Sequence, residues 1–329
     1  MRCVILTDDF PPQQGGVATW TAAVARALSL AGDQVTVFCR ARPGQSGLGY
    51  EVRGVRGPSF GRWGGWWTAL VAREAVRTAD HVLVTSWPVA RRLRGWMPAG
   101  RVNVVFHGSD VTGPTAGRVS VPGRRWAVSQ FLAEALVCDG VPVGVLPAPV
   151  DVSGQPSCGD GPWVFVARAT PLKGGDRFIR IAAAAGKRAV VIGDGPALAG
   201  WRQLAASLNA PVRFVGAIDH ASVLTHLSGA SAAFLLPRAG PEGRGTEGFG
   251  LSLVEAASVG VPVVGCRTGG VPEAVGPGLL LEDPDEPIAA ASAVLAWLNP
   301  SRGAEARTWV ARTHGTTKVV QALRDSLGQ

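Results

Sequence analysis

Two acidic residues, Glu247 and Glu255, flank a glycine-rich stretch that could begin a helix. The chain reads Glu247-Gly248-Phe249-Gly250-Leu251 and reaches Glu255 eight residues after the first acid. If Gly248–Gly250 opens a helix, Glu247 lies beside free backbone amides and Glu255 lies about two turns further along a similar face. Carboxylates in these places can accept hydrogen bonds from sugar hydroxyls. Either acid alone is also explained by the helix dipole or by an ordinary surface position.

Two cations follow a second informative segment, the apolar run Trp163–Ala167. Arg168 comes directly after this run, and Lys173 precedes a glycine pair. Open α/β sheets bind ligands at the carboxyl ends of their strands, where these cations would lie. An arginine can grip two phosphate oxygens while a lysine adds a point charge, so the pair could neutralise a diphosphate. Two solvated loop charges are an equally good interpretation at this point.

A third motif is the pair Gly15-Gly16, which separates the first apolar run from a helix-length segment. Backbone amides at a helix amino end attract anionic oxygens. The pattern matches neither the Gly-x-Gly-x-x-Gly of dinucleotide-binding folds nor a P-loop. A plain tight turn would use the same residues.

Short apolar runs alternate with helix-length segments along the whole chain, which is typical of βαβ units and predicts an α/β fold with parallel sheets. Residues 153–162 are rich in turn formers and interrupt the alternation. We therefore expect a first doubly wound domain at 1–152, a second at 153–306, and a final helical segment at 307–329. The strands are predicted at Cys3–Leu6, Gln34–Cys39, His81–Thr85, Val102–Phe106 and Trp126–Val128, then at Trp163–Ala167, Ala189–Ile192, Val212–Val215, Ala232–Leu236, Val261–Gly265 and Leu279–Leu281.

Charge and cysteine content narrow the class of protein. The net charge is +8, but the basic residues are dispersed and only three are lysines, which argues against a nucleic-acid-binding module. The five cysteines show neither zinc-site nor disulfide spacing. With no apolar stretch long enough to span a membrane and no leader pattern, we expect a cytoplasmic protein.

Taken in order along the chain, these motifs resemble the retaining glycosyltransferase family 4 (glycosyl transferases group 1). The resemblance covers nearly the whole chain and adds several further segments. They are Phe106-His107-Gly108, Val128-Ser129-Gln130-Phe131 and Gly269-Gly270-Val271-Pro272-Glu273. It implies the GT-B arrangement, in which two doubly wound Rossmann-like domains enclose a cleft.

The resemblance also implies roles for individual residues. Arg168, Lys173 and the Gly16 amide would hold the diphosphate of a nucleotide-sugar donor. Glu247 would hold the donor sugar and Glu255 the ribose. His107 would approach the sugar from the first domain, and the amides of Gly248, Phe249, Gly250 and Leu251 would face sugar or phosphate. The final helix would cross back to the first domain, which would also bind the acceptor.

The chain departs from the family pattern in places. Ala167 replaces a common glycine, Pro147–Asp151 lacks a usual asparagine, and the loop before Glu247 is longer than usual. For that reason we assign no role to Arg238, Glu242 or Arg244.

Other candidates have weaker support. Ser86, Trp87 and Asp110 follow first-domain strands and could contact the acceptor. Trp63, Trp66 and Trp67 could pack in the core, touch the acceptor or meet a membrane surface, of which the last is disfavoured. Asp283 and Asp285 resemble a metal-binding pair, but we interpret them as a helix cap. The remaining histidines, His81, His220, His226 and His314, are interpreted as structural.

The function expected from this resemblance is retaining, metal-independent transfer of a hexose from a UDP- or GDP-type donor, without a cofactor. The acceptor would be a hydroxyl of a small natural product, as in antibiotic biosynthesis, or of a saccharide. A lipid-linked cell-envelope acceptor is an alternative, as is an epimerase or phosphorylase on the same fold. From another class, an NAD-dependent oxidoreductase is disfavoured by the missing glycine fingerprint.

Overall fold

The computed structural model describes residues 1–40, 49–55, 67–108, 121–136, 142–152, 160–240 and 245–328. Contacts between residues divide the chain into two units. The first unit comprises Met1–Pro149 together with Thr316–Gln329, and the second comprises Val150–Gly315. The sequence placed the boundaries at 152 and 306, within a few residues of the first division and nine residues before the second.

The first unit is built on a parallel sheet of seven strands in the order β3-β2-β1-β4-β5-β6-β7. The order reverses between β1 and β4, as expected for a doubly wound fold. The strands are β1 Arg2–Leu6, β2 Gln34–Cys39, β3 Glu51–Gly54, β4 His81–Val84, β5 Val102–Phe106, β6 Arg124–Ala127 and β7 Val143–Val145. The helices are α1 Gly16–Leu30, α2 Arg73–Thr78, α3 Trp87–Ala90 and α4 Gln130–Ala135, with short 3₁₀ turns at Arg91–Leu93 and Ala99–Arg101.

The second unit repeats this plan with six parallel strands in the order β10-β9-β8-β11-β12-β13. Its strands are β8 Trp163–Val166, β9 Ala189–Ile192, β10 Val212–Gly216, β11 Ala232–Phe234, β12 Val263–Cys266 and β13 Leu279–Leu281. Its helices are α5 Gly175–Ala184, α6 Leu198–Ser207, α7 His220–Ser228, α8 Leu251–Ser258, α9 Val271–Val275, α10 Pro287–Trp297 and α11 Arg302–Thr313, preceded by a 3₁₀ turn at Pro171–Lys173. Both units are therefore α/β and doubly wound, which confirms the predicted fold class.

The sequence prediction missed two strands, and both lie at the edges of the first sheet. Glu51–Gly54 alternates exposed and half-buried positions, and Val143–Val145 is half-buried to exposed. The prediction relied on continuous apolar runs, which are typical of strands covered on both faces. Edge strands lack that pattern.

The core of the second unit is aromatic. Trp163, Phe165, Phe178 and Phe234 are each buried, and their rings contact one another at centroid distances of 4.9 to 5.6 Å. Tilted and stacked pairs at such distances stabilise a core beyond the area they bury. Trp163 and Phe165 belong to β8, the strand that Arg168 and Lys173 follow.

The last segment, predicted as one helical stretch at 307–329, consists of two pieces. α11 ends at Thr313 in the second unit, and α12, Thr316–Gly328, belongs to the first unit and contacts α1. Val319, Val320 and Leu323 of α12 are buried. Arg324 forms an ion pair of 3.4 Å with Asp33 and donates to the carbonyl oxygen of Ala31 at 3.2 Å. None of the described helices is both long and apolar enough to cross a membrane.

The packing of α12 gives a stability prediction. We expect Leu323→Ala to lower the free energy of unfolding by about 2 to 5 kcal/mol, because it leaves a cavity where a buried side chain was. Gln321→Ala, on the exposed face of the same helix, should change it by less than about 0.5 kcal/mol. Denaturant titration measures both. Equal stability of the two variants would show that α12 is not part of the folded core.

Candidate active site

Close backbone contacts hold the loops at the carboxyl edge of the second sheet. Gly174 has φ +75°, and a Cβ there would overlap the carbonyl oxygen of Leu236. Gly269 has φ +58°, and a Cβ there would overlap the carbonyl oxygen of Glu247. The amide of Gly270 also donates to that oxygen at 3.0 Å. Only glycine permits these approaches, so the glycines beside Lys173 and after β12 fix the loops that carry the candidate residues.

Lys173 and Glu247, which lie 74 residues apart in sequence, meet at this edge. Lys173 Nζ donates to Glu247 Oε2 in an ion pair. The Glu247 side chain is 14% exposed and that of Lys173 is 31% exposed. The second oxygen, Oε1, accepts a long bond of 3.5 Å from the Phe249 amide. The structure therefore brings together a cation and a carboxylate that the sequence predicted separately.

Glu255 is also held by a partner side chain, that of His220. It lies on α8 and is buried, with a side chain that is 10% exposed. His220 Nε2 lies 2.9 Å from Glu255 Oε1. The hydrogen bond to Glu255 raises the pKa of His220 above its ordinary value, partly opposed by desolvation. Protonation of His220 therefore strengthens this contact.

His220 is the site residue that the sequence prediction missed. It was interpreted as structural because it shows no ligand spacing. It lies at the first position of α7, four residues after β10, so its strand also ends at this edge of the sheet. Its position shortly after the end of a strand, like that of Arg168, could have marked it as a candidate site residue. Its pairing with Glu255, 35 positions away, is set by the fold and could not be predicted from the sequence.

The glycine-rich stretch begins α8 as predicted. Gly250 is its N-cap with φ +106°, and Leu251 is the first helical residue. Gly248 and Phe249 are buried, and the Phe249 ring packs 5.5 Å from that of His314. The Phe249 side chain therefore packs inside the unit and anchors the start of the helix. Arg168, in contrast, is exposed just after the end of β8.

Arg238 and Asp285 belong to a neighbouring charge cluster. Arg238 forms two bonds of 2.8 Å to Asp176 and one of 3.2 Å to Asp285. Arg177 holds Asp285 from the other side. A cavity of about 390 Å³ opens beside this cluster, between Pro171 and Trp201.

The interpretation of Asp283 and Asp285 as a helix cap was wrong. The N-cap of α10 is Glu286, and no side chain of the described residues caps it. Asp283 instead accepts from the Asp285 amide at 2.9 Å, while Asp285 binds arginines. Across the described ranges, no cluster of three or more His, Cys, Asp or Glu residues could hold a metal ion.

In the first unit, Gly16 begins α1, and no described atom lies within 4 Å of a Cβ built there. His107 follows β5 and packs edge-on against Trp20 with ring centroids 4.8 Å apart. Burial lowers the pKa of His107 to about 3, so the imidazole is neutral at physiological pH. Its Nε2 has no hydrogen-bond partner within the described part of the chain.

The structure describes only some of the residues that were predicted to contact the acceptor. Ser86 is buried after β4, and Trp87 begins α3. Asp110, Trp63 and Trp66 lie outside the described residues, as do Glu242 and Arg244.

The contact between His220 and Glu255 gives a pH prediction. We expect the pKa of His220 to lie above that of an ordinary histidine and to fall when Glu255 is changed to Gln, because the carboxylate stabilises the imidazolium. The contact then stabilises the fold below the ordinary pKa and loses this effect as pH rises through the raised pKa. Proton NMR titration measures it, with Glu286→Gln as a control at an exposed carboxylate. A pKa unmoved by Glu255→Gln would contradict the contact.

Two curated relatives are similar in sequence. A GDP-mannose-dependent α-(1-6)-phosphatidylinositol monomannoside mannosyltransferase of Mycobacterium tuberculosis is 27% identical over 326 residues, covering 83% of this chain and 82% of the relative. A GDP-mannose-dependent monoacylated α-(1-6)-phosphatidylinositol monomannoside mannosyltransferase of Corynebacterium glutamicum is 32% identical over 126 residues. That match covers 36% of this chain and only 33% of the relative.

Solved structures show the same fold at low identity. A glycosyltransferase involved in avilamycin A biosynthesis superposes with a TM-score of 0.71 at 20% identity, covering 98% of this chain and 96% of the other. Anabaena HepE in complex with UDP-glucose superposes with a TM-score of 0.73 at 18% identity, covering 100% and 99%. These likenesses establish the GT-B fold class.

The family Glycosyl transferases group 1 matches residues 161–312, which is the part of the second unit that contains Lys173, His220, Glu247 and Glu255. On these grounds the chain has the GT-B fold, and its residues 161–312 match the model of the glycosyl transferases group 1 family.

Proposed function

We propose that the chain is a retaining member of family 4 that transfers a hexose from a nucleoside diphosphate sugar to a hydroxyl acceptor. The observation that carries the proposal is the meeting of Lys173 with Glu247 at the carboxyl edge of the second sheet. That edge is where open α/β sheets bind ligands. A cation for phosphate and a carboxylate for sugar hydroxyls are the two groups that such a donor requires.

The donor's diphosphate is assigned to Arg168 and Lys173, with amides at the start of α8. Arg168 is exposed and available to an anion, and Lys173 already faces a carboxylate. A bound diphosphate would compete for the Lys173 ammonium. Glu247 would then accept hydrogen bonds from hydroxyls of the sugar. The ammonium of Lys173 and the carboxylate of Glu247 would therefore each keep a binding partner when the donor is bound.

The ribose is assigned to Glu255, with His220 as the residue that positions it. A buried carboxylate held by one histidine nitrogen at 2.9 Å has a restricted orientation. That restriction lowers the cost of ordering the carboxylate when a ribose hydroxyl donates to it. GDP-mannose is the first donor to test because the relatives named above use it, and UDP-glucose is the second.

The proposed reaction exchanges two bonds at the anomeric carbon. The bond to the leaving diphosphate oxygen breaks, the acceptor oxygen bonds to the same face of the sugar, and the acceptor's proton passes to the departing phosphate. Arg168 and Lys173 would neutralise the negative charge that grows on the diphosphate. Preorganised charge of this kind is usually the largest contribution to catalysis. We propose that these cations remove the need for a metal ion and that no cofactor takes part.

The first unit would supply Gly16 to the diphosphate and His107 to the sugar. Because His107 is neutral, its role would be to form a hydrogen bond and not to act as a general acid. The acceptor would bind to this unit near Ser86, Trp87 and Asp110. A saccharide is the general class, and the phosphatidylinositol mannosides used by the relatives favour a lipid-linked glycan over a small natural product.

Loss of the Lys173 charge gives the direct test of the chemistry. We expect Lys173→Ala to lower kcat by about 10²- to 10³-fold, because one preorganised charge no longer stabilises the leaving group. The assay measures nucleoside diphosphate released from GDP-mannose or UDP-glucose with saccharide and glycolipid acceptors. Lys187→Ala is the matched control, since Lys187 is exposed before β9, at the opposite edge of the sheet.

Two outcomes would contradict the proposal. Wild-type kcat in a folded Lys173→Ala variant would remove Lys173 from the mechanism. Release of nucleoside diphosphate that does not depend on any carbohydrate or other alcohol as acceptor would favour the alternative of an epimerase or phosphorylase on the same fold.

A further inference from the structure

Arg238, for which the sequence indicates no role, belongs to a network of four charged side chains. Arg238 and Arg177 alternate with Asp176 and Asp285, so the charges of the network cancel. Asp176 and Arg177 lie on α5, Arg238 lies in the segment after β11, and Asp285 lies in the loop after β13. The ion pairs therefore join three segments of the second unit that are distant in sequence.

Arg238 binds residues on both sides of Lys173 in the sequence. After Lys173, the two terminal nitrogens of its guanidinium donate to the two oxygens of Asp176, each at 2.8 Å. Before Lys173, Nη1 reaches the Pro171 carbonyl oxygen at 3.4 Å, and the Arg238 amide donates to the Leu172 carbonyl oxygen at 2.8 Å. Paired bonds between an arginine and a carboxylate fix the orientation of both groups. Arg238 therefore spans the turn that carries Lys173.

Arg177 and Asp285 hold Arg238 in place. Asp285 Oδ1 accepts from Arg238 Nη2 at 3.2 Å and from Arg177 Nε at 2.8 Å. Arg177 also donates to the carbonyl oxygens of Leu236 at 3.2 Å and of Pro237 at 2.8 Å, directly before Arg238. The Arg177 side chain is 11% exposed, so water and salt screen its bonds less than those of a surface ion pair. The chain just before Arg238 is thus fixed against α5.

Packing alone does not hold this side of the Lys173 turn. The cavity of about 390 Å³ opens there, and Pro171, Asp176, Trp201 and Arg238 are among the residues that line it. A cavity gives the residues that border it no protein contacts on that side. The position of the turn therefore depends on the bonds that Arg238 makes across it.

We propose that Arg238 is a positioning residue, which holds the Lys173 ammonium where the leaving diphosphate requires it. Both terminal nitrogens of Arg238 are bound to carboxylate oxygens, so the residue supplies geometry and not a further charge for the donor. A misplacement of about 1 Å can lower the rate of an enzyme by about 10²-fold. The effect on catalysis rests on the function proposed above. The orientation of Lys173 against Glu247 is a property of the free protein and can be measured without a donor.

A double-mutant cycle on the full-length protein tests whether Arg238 acts through Lys173. We expect Arg238→Gln to lower kcat for nucleoside diphosphate release by about tenfold or more. In the Lys173→Ala background the same change should lower kcat by less than about threefold, because the charge that Arg238 positions is gone. Equal losses in the two backgrounds would show that Arg238 acts independently of Lys173 and would overturn the proposal.

Arg302→Gln is the matched control for this cycle. The Arg302 side chain is 31% exposed, against 33% for Arg238, and it also pairs with a carboxylate, that of Glu305. It lies at the start of α11. We expect this variant to keep the kcat of the wild type.

The orientation of Lys173 can be followed by NMR without any enzymatic activity. Only three lysines occur in the chain, so labelling lysine Cε with ¹³C gives three signals, of which those of Lys187 and Lys318 are internal controls. We expect the two Hε protons of Lys173 to have separate shifts in the wild type, because Glu247 holds the ammonium. In Arg238→Gln they should merge, while the signals of the two control lysines stay unchanged.

Arg238→Lys is the second variant, and circular dichroism verifies that both variants are folded. Lysine keeps the positive charge but cannot form the paired bonds to Asp176, so the Hε signals of Lys173 should merge here as well. Merged signals in the wild type, or separate signals in both variants, would overturn the proposal. If the signals merge as expected but the wild type releases no nucleoside diphosphate from any donor, Arg238 still orients Lys173 and the proposed function fails instead.

Discussion

The arrangement of the second unit's carboxyl edge depends on two close backbone contacts made by glycines, which bring Lys173 and Glu247 into an ion pair. The two residues come from loops 74 positions apart, and each loop is fixed by a glycine whose Cβ would overlap a neighbouring carbonyl oxygen. Gly174 brings the lysine loop against the end of β11, and Gly269 brings the segment after β12 against Glu247. The motif glycines thus determine where the charged side chains lie, although none of them carries chemistry itself.

This explains which parts of the structure could be predicted from the sequence. Strands β2, β5, β9 and β13 have the predicted bounds, because buried parallel strands are continuous apolar runs. The edge strands β3 and β7 were missed because neither is a continuous apolar run. Strand β3 alternates with Glu51 and Arg53, and β7 is only three residues long with Gly144 at its centre. The GT-B fold was predicted from motif order, and the group 1 family match and the solved structures confirm it.

The candidate site was predictable as a set of residues but not as a set of contacts. Lys173, Glu247 and Glu255 stood out by type and spacing, whereas the partner of Glu255 did not. His220 lies on an edge strand's loop, and only the packing of α7 beside α8 brings it within 2.9 Å of the carboxylate. Contacts between distant segments also explain the error at Asp285. Its side chain was interpreted as a helix cap because it lies just before a helix in the sequence, but the fold pairs it with arginines from two other segments.

The central claim is that the second unit binds a nucleoside diphosphate sugar with Glu255 on the ribose. The most direct test is calorimetric titration of the full-length protein with uridine, guanosine, adenosine and thymidine diphosphates and with NAD, repeated with Glu255→Ala. The account predicts that one diphosphate binds selectively and that Glu255→Ala weakens its binding by about tenfold, the loss expected for a hydrogen bond to a charged group. Binding of NAD alone, or diphosphate binding that Glu255→Ala leaves unchanged, would contradict it.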